Sequence, residues 1–302
     1  MKIIADTTQF IVEKETAVAI GKFDGVHIGH RKLLQEILEQ KKKGLAACAF
    51  TFDPPPAVLF GSSDGKELTT KEEKRALFES MGVDILIEFP LTHETAAISP
   101  MDFAERIVAK QMNARFVAAG KDLAFGAKGA GNAQLLAAVG KEKGFQVKII
   151  EKVCVDRIEV NSTYIRELIK KGDIQTVNRF LGMPYTVKGT VVHGNRIGRT
   201  IGFPTVNLLP AENKLLPPNG VYRSEVLVKG KRYRALSNIG YKPTVTTERV
   251  LGVESYLYDF EEEIYDQMIE VCFLEYKRPE QRFENLEALK EQLKKDIEEN
   301  NY

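Results

Sequence analysis

Cysteine is scarce in this chain. Three residues of 302, Cys48, Cys154 and Cys272, lie far apart in apolar strings, with no CxxC pair. That excludes a disulfide framework and a thiolate zinc site, and it suits a reducing compartment. Histidine is nearly as rare, at four residues. His93 and His193 join no cluster with ligand spacing, which leaves little for a histidine-held metal. No apolar run approaches the roughly 20 residues that span a bilayer, so a membrane transporter is excluded. The first residues, MKIIADTTQFIVEKET, lack the apolar core of a signal peptide. The expected location is the cytoplasm. Charge of one sign is also missing: Lys and Arg total 43 against 42 Asp and Glu, a net +1. Such a chain has no global field for nucleic acid or an anionic membrane, so neither is expected as a partner. Local basic sites for phosphate remain open. Internal repeats and low-complexity segments are absent as well.

What is present is ordinary globular composition, 43% hydrophobic and 28% charged, over a length suited to two domains. From residue 17 short apolar runs alternate with helical stretches. Ala17–Phe23, Leu45–Phe52, Ile85–Phe89, Phe116–Ala119 and Gln146–Ile150 read as strands. Gly29–Lys42, Lys71–Ser80 and Pro100–Gln111 read as helices. This βαβα rhythm predicts a Rossmann-like parallel sheet covered by helices. A further helix, Tyr164–Lys171, and one running to Phe180 precede Gly182 and Pro184, where the rhythm changes. Beyond it Tyr185–Val192, Gly220–Val228, Arg232–Leu236, Leu251–Tyr258 and Met268–Leu274 are rich in Val, Ile, Thr and Tyr, with Gly, Pro and Asn between them. That pattern predicts an antiparallel barrel or sandwich, closed by a helix at Leu286–Ile297. The expected domains are 1–182 and 183–302.

Two motifs carry chemistry. In the first, Gly21-Lys22-Phe23-Asp24-Gly25-Val26-His27-Ile28-Gly29-His30, a buried strand ends, a glycine-flanked turn follows and a helix begins. A helix N-terminus offers free N–H donors and partial positive charge to a phosphate, and glycines allow close approach. His27 and His30, three apart, can address one anion and donate to phosphate oxygens in a crowded transition state. In the second, Gly194, Gly198 and Gly202 recur every four residues ahead of Phe203-Pro204-Thr205-Val206-Asn207. The glycines can hold a loop open around nucleotide phosphates. Thr205 and Asn207 alternate on an extended segment, so their oxygens share a side, which suits a hard Mg²⁺ held mostly by phosphate and water.

The first string resembles the HxGH nucleotidyltransferases, which attach a nucleoside monophosphate to a phosphate or carboxylate. Asn161-Ser162-Thr163-Tyr164-Ile165-Arg166 is similar to their second motif, SSTxIR. The second string resembles the riboflavin kinase signature GxxxGxxxGFPTxN, and Ser237–Thr244 is similar to the kinase N-I-G-x-[KR]-P-T. Together they resemble prokaryotic bifunctional riboflavin kinase/FAD synthetases over about residues 15–298. The resemblance implies an N-terminal FMN adenylyltransferase and a C-terminal riboflavin kinase, with ATP, Mg²⁺, riboflavin, FMN and FAD as cofactor, substrates and products. It implies ATP at Gly21, Phe23, Asp24, Gly25, Gly29, Ser162 and Thr163, with Arg166 reaching the triphosphate beside the two histidines. It implies FMN at Phe52, Asp122 and Phe125. In the kinase it implies ATP at Gly194, Gly198, Gly202 and Pro204, a metal at Thr205 and Asn207, flavin at Arg278 and Glu280, and Glu254 as the general base. Four positions of the N-terminal half depart from the family pattern: Pro55 replaces a His, Lys121 an acid, Leu123 a Phe and Asn161 a Ser; in the kinase half Asp266 stands for a usual Gly. The expected assembly is a monomer or weak homo-oligomer. Two other readings stand beside this one: a divergent member with riboflavin kinase activity alone, and a non-catalytic flavin-sensing or RNA-binding regulator. The intact Glu254, Thr205 and Asn207 speak against the regulator.

Overall fold

The computed structural model describes residues 1–194, 197–200, 202–243 and 249–299. Its contacts divide the chain into two compact units, Met1–Ser162 and Thr163–Tyr302.

In the first unit, strands β1 (Lys2–Ala5), β2 (Thr16–Ile20), β3 (Ala46–Asp53), β4 (Ile85–Pro90), β5 (Ala114–Gly120) and β6 (Gln146–Ile150) form one sheet. The order is β1-β4-β3-β2-β5-β6, and every pair is parallel. Alternation along the strands assigns each face its own core. Val18 and Ile20 of β2 join Phe50, Phe89, Phe103 and Phe125 on one side. Ala17 and Ala19 face the other way, where Leu33, Leu34 and Ile37 of the helix Ile28–Glu39 pack. Both faces are covered, which is why these strands read as continuous apolar runs. The chain steps from β2 through β3 to β4 on one side, then returns to β5 on the other. A crevice therefore opens at the carboxyl ends of β2 and β5, where ligands bind in such sheets.

The second unit holds a closed antiparallel barrel. Its strands are β7 (Tyr185–Val192), β8 (Thr205–Leu208), β9 (Gly220–Val228), β10 (Lys231–Pro243), β11 (Arg249–Leu257) and β12 (Met268–Arg278). Around the barrel the order is β7-β8-β11-β10-β9-β12, with β12 pairing back to β7. Closure resolves the choice between barrel and sandwich. The C-terminal helix, Leu286–Glu299, is anchored where Arg278 meets the buried Asp296 at 2.5 Å.

The helices Ser162–Lys171 and Ile174–Leu181 lie almost wholly in this unit, so the compositional switch near 182 falls inside it. The second helix packs against β12 and β7 through Ile174, Val177, Phe180 and Leu181. Asn178 ties it down, donating to the Phe273 carbonyl at 2.9 Å and accepting from the Tyr185 amide at 2.7 Å. A fragment 163–302 should therefore unfold at higher urea than a fragment 183–302, by more than about 2 kcal/mol, since even one large apolar side chain is worth about that when buried. Equal midpoints would mean the helix is dispensable to the barrel.

Candidate functional sites

The turn after β2 is built from unusual backbone. Phe23, Gly25 and Val26 all have positive φ, at 50°, 84° and 42°. Glycine adopts this freely, whereas β-branched Val26 does so only when its surroundings impose it. The imposing contacts come from 44 residues downstream. The Leu68 amide donates to Asp24 Oδ1 at 3.0 Å, and the Gly25 amide donates to Thr69 Oγ1 at 2.9 Å. Thr70 then caps the helix Lys71–Met81 in a reciprocal box with Glu73. The S/T-x-x-E signature of that box was readable in the sequence; its bond to the turn was not.

His27 ends the turn as the N-cap of Ile28–Glu39. Its Nδ1 accepts from the His30 amide at 3.3 Å. The two imidazoles stack with centroids 3.7 Å apart. Gly29 lies between them because a Cβ there would sit 3.1 Å from the His27 ring. Phe23 is fully buried and serves as the floor, its ring 5.2 Å from His30 and 5.2 Å edge-on from Phe78. Burial drags the His27 imidazole down to about 4, against the partial pull of the Asp24 and Asp122 carboxylates. Burial also holds His30 well below its ordinary value, helped by His27 and Lys74. Near neutrality both rings are uncharged. With Nδ1 of His27 accepting, its Nε2 carries the proton and is a donor.

The second motif reaches this turn directly. Ser162 Oγ donates to the Asp24 carbonyl at 2.8 Å, joining residues 138 apart. Gly21, at the end of β2, donates its amide to Phe50. Asp122 is exposed after β5, in electrostatic reach of His27 and 3.7 Å from Lys152. Phe125 is buried against Phe103 at 5.1 Å, and half-buried Phe52 leans on Phe50 at 5.2 Å, so both rings belong to the apolar wall. Pro55 caps the short helix Pro56–Leu59, Lys121 pairs with Glu151, and Leu123 leans on the core. Thr163 is exposed and Arg166 half-buried, both on the helix Ser162–Lys171.

In the barrel, Thr205, Asn207 and Glu254 come together through strand register. Asn207 lies opposite Glu254 between β8 and β11, and Asn238 of β10 opposes Glu254 from the other side. Thr205 Oγ1 donates to Glu254 Oε1 at 2.5 Å. Two motif glycines press the preceding loop onto these residues: a Cβ on Gly194 would lie 2.4 Å from Asn207 Nδ2, and one on Gly198 2.3 Å from the Phe203 carbonyl. Gly202 has φ +88°, and Pro204 is exposed. The donor set is all oxygen and amide, which fits a hard cation; among the described residues no cluster of His, Cys, Asp and Glu offers a richer site. Arg278 is engaged by Asp296, while exposed Glu280 accepts from Asn219 at 3.2 Å and Asn238 at 3.0 Å. That Asn219–Asn238–Glu280 cluster was not expected, because its members are far apart in sequence. Asn195, Arg196, Ile201 and Thr244 of the two kinase strings lie outside the described residues.

The His27 geometry has a pH consequence. Its folded value near 4 lies below the unfolded value near 6.5, so the unfolded chain binds more protons between them. Stability present above about 6.5 is lost as pH falls toward about 4. His27→Asn keeps an N-cap oxygen and removes the titration. Urea unfolding of the first unit should therefore show a flatter acid limb in this variant than in the wild type, and superimposable limbs would contradict the assignment.

Comparison with known proteins follows the same division. Residues 10–164 match the FAD synthetase family model, and residues 181–301 match the riboflavin kinase model. The bifunctional riboflavin kinase/FMN adenylyltransferase of Listeria monocytogenes is 36% identical over 293 residues, spanning 96% of this chain and 93% of that one. The Escherichia coli K12 protein of the same name is 35% identical over 282 residues, covering 92% and 90%. A crystal structure of a macrolide-efflux protein from Streptococcus pneumoniae superposes with a TM-score of 0.87 at 28% identity, over 99% and 98% of the two chains. Among the described residues of this chain no helix is long and apolar enough to cross a membrane. The chain belongs to the bifunctional riboflavin kinase/FMN adenylyltransferase family and carries both of its enzymes, a riboflavin kinase and an FAD synthetase, which use ATP and Mg²⁺.

Proposed function

We propose that the barrel phosphorylates riboflavin through Glu254 and that the parallel-sheet unit adenylylates FMN through His27 and His30. The observation that carries the first part is the convergence of Thr205, Asn207 and Glu254 from adjacent strands. Glu254 accepts the proton of the ribityl 5′-hydroxyl, the freed oxygen attacks the terminal phosphorus of ATP, and the bond from that phosphorus to the bridging oxygen breaks, its electron pair leaving on ADP. Thr205 would hold the cation with its remaining lone pairs, since its proton is committed to Glu254, and Asn207 would add its amide oxygen. When bound, Mg²⁺ supplies charge neutralisation for in-line transfer. Pro204 and the glycine loop Gly194–Gly202 border the nucleotide, and the strand end at Arg278–Glu280 borders the flavin.

In the first unit an FMN phosphate oxygen attacks the α-phosphorus of ATP, and pyrophosphate leaves with the bonding pair. Negative charge builds at a helix N-terminus where His27 Nε2–H is already aimed as a donor. Gly21, Phe23, Asp24, Gly25, Gly29 and Ser162 shape the turn, and Phe52, Asp122 and Phe125 contribute to FMN. Three free thiols support a cytoplasmic setting. Near-zero net charge supports small-molecule partners rather than nucleic acid, with the chain acting as a monomer or weak homo-oligomer.

Glu254→Gln should lower FMN formation by roughly two to four decades, the usual scale for a general base, while FAD formation from added FMN persists. A rate within about threefold of wild type would remove Glu254 from this role. His27→Ala should do the reverse, depressing FAD synthesis and sparing the kinase. Loss of preorganised donors at a developing anion is worth about 2.7–4 kcal/mol, or roughly a hundredfold or more. Chromatographic separation of the flavins reads both. Wild-type chain that forms FMN and no FAD, with oxidised or reduced FMN, would reduce the protein to a riboflavin kinase.

A further inference from the structure

Three consecutive cations of the helix Lys71–Met81 have different fates. Lys71 pairs with Asp53 and Glu88, and Arg75 grips Glu88 with 2.9 and 2.5 Å bonds. Lys74 lies between them, is only 7% exposed, and its ammonium has no hydrogen bond or ion pair among the described residues. Its stem is packed away while its ammonium is left without a counter-charge, the state of a lysine that can meet an anionic ligand.

The helix places Lys74 at the adenylyltransferase site. Phe78, one turn later on the same face, touches Phe23 edge-on at 5.2 Å, and Phe23 carries His30 at 5.2 Å. One turn toward the N-terminus, Thr70 caps the helix, and its neighbours Leu68 and Thr69 are bonded to the Asp24–Gly25 turn. Lys74 thus lies on the helix face between the turn and the Phe23 floor, close enough for its charge to act on His30. A second group there also lacks a partner: His30 Nδ1 is buried and makes no hydrogen bond. An ammonium on a buried stem with no bond among the described residues, and a buried imidazole nitrogen without a partner, lie beside one helix N-terminus and are the complement of an anion rich in oxygens.

We propose that Lys74 is a phosphate-binding residue of the adenylyl-transfer site, its ammonium and His30 together taking oxygens of the nucleoside triphosphate. This rests on the adenylyltransferase reading above. The bond from the α-phosphorus to the bridging oxygen breaks, and the electron pair departs on pyrophosphate. Lys74 keeps its proton throughout and neutralises the charge that accumulates on that leaving group. A lysine serves as a point charge that follows the phosphate without demanding a fixed fork geometry.

The test uses the full chain as wild type, Lys74→Met, Lys74→Arg and His27→Ala. Methionine matches the stem and removes only the charge, and riboflavin phosphorylation by the same molecules reports that the chain is intact. For Lys74→Met the expected result is an about 10- to 100-fold fall in kcat/KM for ATP in FAD formation, the scale of a charged hydrogen bond. The kinase rate should be unchanged, and Lys74→Arg should recover part of the loss. Titration of inorganic pyrophosphate, followed through the His27 and His30 ring resonances, should show weaker binding to Lys74→Met by a similar factor. In ligand-free Lys74→Met the His30 ring should protonate at higher pH than in the wild type, which reports that the ammonium lies beside the ring, while the pyrophosphate titration reports whether it binds phosphate. Wild-type FAD formation and pyrophosphate binding in Lys74→Met, with activity lost in His27→Ala, would overturn the lysine and leave the site reading intact. If the wild type forms no FAD, the site reading fails, and the pyrophosphate titration alone decides: undiminished binding in Lys74→Met overturns the proposal.

Discussion

An imidazole nitrogen accepts the His30 amide in the first turn of the helix Ile28–Glu39, and the chemistry of the N-terminal unit follows from that bond. Helices expose several unpaired N–H groups at their start, and small oxygen-bearing side chains usually meet one of them. Here His27 Nδ1 does so at 3.3 Å. The bond fixes the ring in place, assigns the proton to Nε2 and stacks the ring on His30. An aspartate cap would satisfy the same amide and leave no donor for a substrate. The surrounding structure defends this arrangement: the strained turn, its two bonds to Leu68 and Thr69, the Ser162 hydroxyl on Asp24 and the Phe23 floor. Burial keeps both rings neutral, so each can rise toward protonation as anionic phosphate arrives.

The barrel solves its problem by register instead. Thr205, Asn207 and Glu254 meet because β8 and β11 pair at one offset, and a one-residue slip would turn every side chain of the slipped strand to the opposite face. Closure of the sheet removes the freedom to slip. Inside the barrel, Ser224, Ser237 and Ser255 form a ladder of hydroxyls at 2.7 Å per step across β9, β10 and β11. Each satisfies its neighbour, so a polar row is tolerated at full burial and helps specify the pairing.

Those serines also explain what the sequence hid. Tyr185–Val192 and Gly220–Val228 were legible to the residue because Val and Tyr recur along both and turn residues bound them. Arg232–Leu236 fell short of the observed Lys231–Pro243 because Ser237, Asn238 and Gly240 look like turn residues outside the barrel. Strand β1 has four residues at a sheet edge, too few for a periodic signal. The helix Ala133–Lys143 was masked by the glycines at 126, 129 and 131 before it. Pro100–Gln111 reads as one helix and is helical throughout, but from Phe103 it takes wider π hydrogen bonding, which side-chain periodicity does not encode. At the sites, motif residues were legible because phosphate chemistry needs glycine, histidine and helix starts together. Thr69, Lys74 and the Asn219–Asn238–Glu280 cluster were not, because their significance arises only from contacts across the fold.

Closure divides the two halves in one further respect. In the closed barrel each of the six strands has a neighbour on both sides, whereas the parallel sheet ends in β1 and β6. Both borders are short, and each carries lysine: Lys2 begins β1, and Lys148, held by Glu36 at 2.6 Å, sits within β6. Charge of this kind is the ordinary guard against edge-to-edge stacking. Any propensity of this protein to aggregate through strand addition therefore resides in the half that makes FAD, and its colloidal resilience rests on a few lysines at the rims of one sheet.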